Sequence, residues 1–211
     1  MIKAVIFDMD GVLVDAKEWH YQAFNQALEH HGYTLTEEEH RTRYDGLPTR
    51  VKLQWLERDK GVPASLHDSI KDLKQKFTLE LLHKNCRPNP HHLRTLSELK
   101  RMGMQLGVAS NSVAETVTLV LKMTELDTYL NFVLSNQDVR LPKPDPEIYR
   151  RSIQLLGIKP EECLIVEDNE YGIQAARAAG GHVLVVQGTF EVTLENVQSF
   201  IKQIEASDGT L

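Results

Sequence analysis

Ala4-Val5-Ile6-Phe7 is a short apolar stretch that runs without a linker into Asp8-Met9-Asp10-Gly11-Val12. The first four residues predict a buried β-strand. Side chains alternate along extended backbone, so Asp8 and Asp10 project to the same side. Two carboxylates at the mouth of an apolar core repel each other and resist desolvation. A cation or a shared proton compensates such a pair, which is the usual need of a catalytic site. The plainer reading is a solvated, Asp-rich turn closed by Gly11. The segment alone leaves both open.

Further apolar, β-branched runs recur at Gln105 to Ala109, Phe132 to Leu134, Cys163 to Val166 and His182 to Val186, each leading into a helical pattern. Runs without polar alternation predict strands covered on both faces, hence a parallel sheet between helix layers. The stretch from Ala16 to Asn85 carries no strand signal. Trp19, Ala23, Ala27 and His31 form one helical stripe with Phe24 and Leu28 beside it. Val51, Trp55 and Leu56, then Leu66, Ile70, Leu73 and Phe77, continue the amphipathic pattern. The expectation is an α/β core domain over 1–15 and 86–211, with a helical-bundle module over 16–85 inserted after the first strand. Arg87-Pro88-Asn89-Pro90 is the expected return linker, because the residue before each proline is pushed out of helix.

Composition narrows the function. The 211 residues hold 24 Lys and Arg against 30 Asp and Glu, a net charge of -6, which argues against a nucleic-acid surface. No apolar run reaches membrane-spanning length, and the start of the chain lacks the basic-then-apolar pattern of a secretion signal. A cytoplasmic protein is expected, with no nucleic-acid or membrane partner. Cys86 and Cys163 are too few for a disulfide framework or a zinc ribbon; Cys163 reads as a small buried residue. The pairs His30-His31 and His91-His92 read as surface or helix-end residues, because helix neighbours point apart.

The other strand ends matter because open α/β sheets bind ligands outside their carboxyl ends. Ser110-Asn111-Ser112 follows the second run, and a hydroxyl before a helix N-terminus suits either an anion or a simple N-cap. Lys143 sits in Leu141-Pro142-Lys143-Pro144-Asp145-Pro146, a stiff loop that presents a point charge, with Asp145 placed to cap a helix starting at Pro146. Glu167-Asp168 ends the fourth run. With Asp8 and Asp10 these acids offer Mg²⁺ an oxygen-rich site; capping of the next helix is the alternative.

Taken in order, Asp8-Met9-Asp10-Gly11-Val12, Ser110-Asn111, Lys143-Pro144-Asp145-Pro146 and Glu167-Asp168-Asn169 resemble the haloacid dehalogenase superfamily of phosphotransferases across the whole chain. The fold this implies is a Rossmann-like parallel sheet sandwiched by helices. The inserted module is similar to the small helical cap of the β-phosphoglucomutase and phosphoglycolate phosphatase branch, with Asp15-Ala16-Lys17-Glu18-Trp19-His20 resembling its first hinge and Gly46-Leu47-Pro48-Thr49-Arg50 its specificity loop. The resemblance implies Asp8 as nucleophile and Asp10 as general acid and base. It implies Ser110 and Lys143 as supports of the phosphoryl charge. Mg²⁺ is implied on Asp8, the Asp10 main-chain carbonyl, Asp168 and Glu167, the last through water. His20, Gly46, Arg50, Lys76 and Asn111 are implied to bind substrate, with Lys74 competing for the place of Lys76.

The expected activity is Mg²⁺-dependent hydrolysis of a small phosphorylated metabolite, a sugar phosphate foremost, through an aspartyl phosphate, by a monomeric enzyme. The alternative is a β-phosphoglucomutase-like mutase, favoured by His20 and Glu18; below it rank a metal-free dehalogenase and a non-catalytic binding module.

Overall fold

The computed structural model describes residues 1–208. The chain divides into two compact units, 1–15 with 87–211 and 16–86.

In the first unit β1 (Ala4–Phe7), β2 (Gln105–Ala109), β3 (Phe132–Leu134), β4 (Cys163–Glu167) and β5 (His182–Val185) form one sheet in the order β3-β2-β1-β4-β5. Every pairing is parallel, with Ile6 beside both Gly107 and Ile165. The strand order reverses at β1, so its carboxyl end lies at the switch point where open sheets bind ligands. The helices α5 (Pro90–Arg101), α6 (Ala114–Met123), α7 (Glu147–Leu156), α8 (Glu170–Ala179) and α9 (Leu194–Asp208) complete this unit. Ile6, Ile165, Ile148, Ile153 and Ala176 share one buried cluster. Gly107 has a packing reason: a Cβ there would lie 2.1 Å from the Phe132 ring on β3.

Coverage on both faces holds for β1 and β4 and for β2 beyond its first residue, but not for the edges. Val133 of β3 and Val185 of β5 are exposed, and β5 ends one residue short of the predicted Val186. An edge strand has a neighbour on one side only, so its apolar character does not imply enclosure. Among the histidine pairs, His92 departs from the surface expectation. It is buried, with Nδ1 3.1 Å from the Leu13 carbonyl and Nε2 2.9 Å from that of Thr189. Its ring ties the loop after β1 to the segment after β5, a long-range role that local pattern does not reveal. Cys163 is buried as expected, and burial pushes its thiol up to about 12.

The second unit contains α1 (Lys17–Glu29), the single turn α2 (Glu37–Glu39), α3 (Thr49–Lys60) and α4 (His67–Asn85). Phe24, Ala27, Leu28, Leu53, Leu56 and Ile70 pack in its core. Among the described residues, no helix is long and apolar enough to cross a membrane. The return linker is 87–89: Asn89 is extended and accepts from the His91 N–H, and Pro90 opens α5.

His40 is buried in this unit with its Nε2 3.1 Å from the Lys52 ammonium. Burial first, then the charges of Lys52, His20 and Lys74, hold its imidazole down from 6.5 to about 3. The ring is therefore neutral when folded and prefers a proton when unfolded, so the stability it secures is present above 6.5 and is lost as pH falls toward 3. Lowering the pH from about 7 to about 5 removes roughly 2 kcal/mol through this group. Denaturant titrations at the two pH values should show that loss in the wild type and a smaller one in His40→Gln.

Candidate active site

The site is built at the carboxyl ends of β1 and β4. The Asp8 N–H continues the ladder onto the Val166 carbonyl at 3.0 Å, which fixes the residue at the strand mouth. A tight turn follows, in which the Met9 carbonyl accepts from the Leu13 and Val14 N–H groups. Gly11 takes φ +92° there, a conformation that glycine adopts without strain. The turn brings Asp10 back beside the end of β2, where its Oδ2 accepts from the Ser112 hydroxyl at 2.7 Å.

Lys143 enters the same place from the proline-rich loop and is only 3% exposed. Its ammonium donates to Asp8 Oδ1 at 2.7 Å and Glu167 Oε1 at 2.7 Å, and reaches the Ala109 carbonyl and the Tyr149 hydroxyl at 2.8 Å each. It also lies 4.7 Å from the centre of the Tyr149 ring. Asn111 holds the lysine's main chain, its Oδ1 accepting from the Lys143 N–H at 3.1 Å and its Nδ2 donating to the Lys143 carbonyl. This support role is one the sequence reading, which gave Asn111 to the substrate, did not foresee. The Lys143–Pro144 peptide is cis.

Several simpler readings of these motifs do not describe the structure. Ser110 and Ser112 do not cap α6, whose first N–H is taken by Gln137; Ser110 is buried and its Oγ accepts from the Ser112 N–H. The cap of α8 is Asn169, not Asp168. Asp145 accepts from the Glu147 N–H, and α7 begins at Glu147, one residue after the expected Pro146.

Ligand atoms of Asp8, Glu167 and Asp168 lie within 4.8 Å of one another. Burial pushes the Asp8 carboxyl well above the ordinary range; Lys143 pulls it down, and Glu167, Asp168 and Asp10 push it up again. Burial lowers the Lys143 ammonium, but the charges of Asp8 and Glu167 outweigh this and raise it. All three donors are hard carboxylate oxygens, the set that suits Mg²⁺. Glu167 is committed elsewhere: Oε1 binds Lys143 and accepts from the Tyr149 hydroxyl at 2.5 Å, and Oε2 accepts from the Asp168 N–H.

The remaining expected site residues belong to the helical unit. His20 on α1 has its Nδ1 3.3 Å from the ammonium of Lys74 on α4, whereas Lys76 is exposed two residues further along. Two residues apart on a helix point to different faces, so Lys74, not Lys76, shares the His20 environment. Arg50 is exposed near the start of α3, and Gly46 takes φ +73° in the loop before it.

A family model described as haloacid dehalogenase-like hydrolase matches residues 5–186. The chain belongs to that family. This hydrolase is 31% identical over 182 residues to the phosphorylated carbohydrates phosphatase of Thermotoga maritima, a match covering 85% of this chain and 82% of that one. Pyrophosphatase PpaX of Bacillus velezensis is 30% identical over 179 residues, covering 85% and 80%. Among solved structures, CbbY from Rhodobacter sphaeroides in complex with phosphate superposes with a TM-score of 0.81 at 28% identity, over 89% of this hydrolase and 87% of CbbY.

Tyr149 and Gly172 were absent from the expected site. Tyr149 was detectable only as a polar-tipped residue on the buried stripe of α7. Gly172 leaves room for Glu167, since a Cβ there would lie 1.9 Å from Oε1. Replacing an interior helical glycine by alanine ordinarily gains about 1 kcal/mol. Here the pinned carboxylate cannot yield, so Gly172→Ala should instead lose about 1–3 kcal/mol in denaturant unfolding, with a fall in turnover.

Proposed function

We propose that this hydrolase is a Mg²⁺-dependent phosphatase that releases phosphate from a small phosphorylated metabolite, with sugar phosphates as the substrate class. The observation that carries the reading is the buried Lys143 ammonium between Asp8, directly after β1, and Glu167 at the end of β4, at the switch point of the sheet. The relative from Thermotoga maritima, named for phosphorylated carbohydrates, supports the substrate class. The net charge of -6 is in keeping with a small-molecule substrate in preference to a nucleic acid.

In this reading the Asp8 carboxylate attacks phosphorus and the ester oxygen leaves. Asp10, steadied by Ser112, gives the leaving alcohol its proton and then takes one from the water that cleaves the aspartyl phosphate. Lys143 and the Ser110 hydroxyl offset charge on the phosphoryl oxygens as it spreads in the transition state. Asp8 and Asp168, with the Asp10 main-chain carbonyl, would hold Mg²⁺, and Glu167 would reach it only through water. When bound, the ion supplies positive charge that lets a phosphate dianion approach a carboxylate. His20, Lys74 and Arg50 of the helical unit are assigned to substrate selection.

A phosphate-release screen over phosphorylated metabolites, run with Mg²⁺ and with excess chelator, tests the reading. Release with Mg²⁺, lost on chelation and abolished in a folded Asp8→Asn variant, is the expected result. Metal-free halide release from a haloacid, with no phosphate release in the screen, would favour a dehalogenase. Conversion of glucose 1-phosphate to glucose 6-phosphate with catalytic bisphosphate and no phosphate release would favour the mutase.

A further inference from the structure

Lys143 faces more acceptors than it has hydrogens. Its three N–H bonds are shared among Asp8 Oδ1 at 2.7 Å, the Ala109 carbonyl at 2.8 Å, the Tyr149 oxygen at 2.8 Å and Glu167 Oε1 at 2.7 Å. The buried Tyr149 hydroxyl joins two members of this set. Its own hydrogen goes to Glu167 Oε1 at 2.5 Å, while its oxygen accepts from the lysine. Glu167 thereby has a donor on Oε1 from Tyr149 and one on Oε2 from Asp168, and it does not depend on Lys143 for satisfaction. Without the hydroxyl, Oε1 loses its Tyr149 donor, and the ammonium loses an acceptor that fixes its orientation between Asp8 and Glu167.

We propose that Tyr149 is a positioning residue: its hydroxyl donates to Glu167 and accepts from Lys143, and so fixes the direction in which the ammonium presents an N–H to Asp8 and to the phosphoryl group that reacts there. The assignment rests on the phosphatase reading of Asp8 and Lys143. Phenylalanine is a clean probe, because it keeps the ring volume in the α7 stripe and the ring face near the ammonium, and removes only the hydroxyl.

The test is a double-mutant cycle on the full chain, with p-nitrophenyl phosphate and Mg²⁺, across wild type, Tyr149→Phe, Glu167→Gln and the double variant. A hydrogen bond to a charged partner sets the scale, so kcat in Tyr149→Phe should fall roughly ten- to a hundredfold with KM little changed. Because the hydroxyl acts through Glu167, its removal from Glu167→Gln should cost far less, a non-additive result that a merely structural role would not produce. Wild-type kcat in Tyr149→Phe, or strictly additive losses, would overturn the proposal. Proton NMR of the protein alone supplies a readout independent of activity: a downfield, exchange-protected hydroxyl proton in the wild type that is missing in Tyr149→Phe. A wild-type protein inactive on the probe would count against the phosphatase reading, and absence of the NMR signal against Tyr149.

Discussion

One buried ammonium organises the core unit. Lys143 pairs with carboxylates from two different strands, and removing one partner of such a buried pair typically costs about 3–5 kcal/mol, since the survivor is left charged and dry. Much of the surrounding structure serves to deliver that charge. Asn111 grips the lysine's main chain, Tyr149 braces its tip, and Gly172 yields the space in which Glu167 can face it. The arrangement is nonetheless short of positive charge: Glu167, Asp168 and Asp10 all push on Asp8, against the ammonium of Lys143. That deficit adds to burial, the larger cause, in driving the Asp8 carboxyl up. It is also why, under the proposed mechanism, a divalent cation and then a phosphate dianion would fit the site in turn.

Topology decides where this can happen. β1 lies at the centre of a parallel sheet, with β2 and β4 on either side, so all three carboxyl ends open toward the same crevice. Each contributes a different chemistry: acids from β1 and β4, hydroxyls after β2. The lysine does not come from one of these strand ends. It comes instead from the loop before α7, which reaches Asp8 across 135 residues of chain.

The central strands were legible because β1, β2 and β4 are enclosed on both faces, and enclosure leaves an uninterrupted apolar run. The edges were harder, since the apolar residues of β3 and β5 do not imply cover. The acids, the serines and Lys143 were legible because each sits at a strand end or on a proline-stiffened loop. Tyr149, Gly172 and the burial of His92 were not, for a common reason. Their roles consist of contacts between different elements, and no local period encodes them. The choice between Lys74 and Lys76 turned on which face of α4 meets His20, which a helical stripe of mixed polarity leaves open.

The two acids at the end of β1 enter the structure on unequal terms. Asp8 is almost wholly buried, with one oxygen on an ammonium; Asp10 is half-buried, with one oxygen on a neutral hydroxyl. An ammonium partner favours the ionised carboxylate that a nucleophile needs, against the burial that pushes this carboxyl toward its neutral form. A hydroxyl partner is indifferent to charge, because it can donate to a carboxylate or accept from a carboxylic acid. That indifference is what a group needs if it is to give a proton in one step and take one in the next. Environments that separate two like residues in this way are how adjacent carboxylates come to hold different tasks. Under the proposed mechanism, the partner that each acid keeps accounts for the division of labour between Asp8 and Asp10.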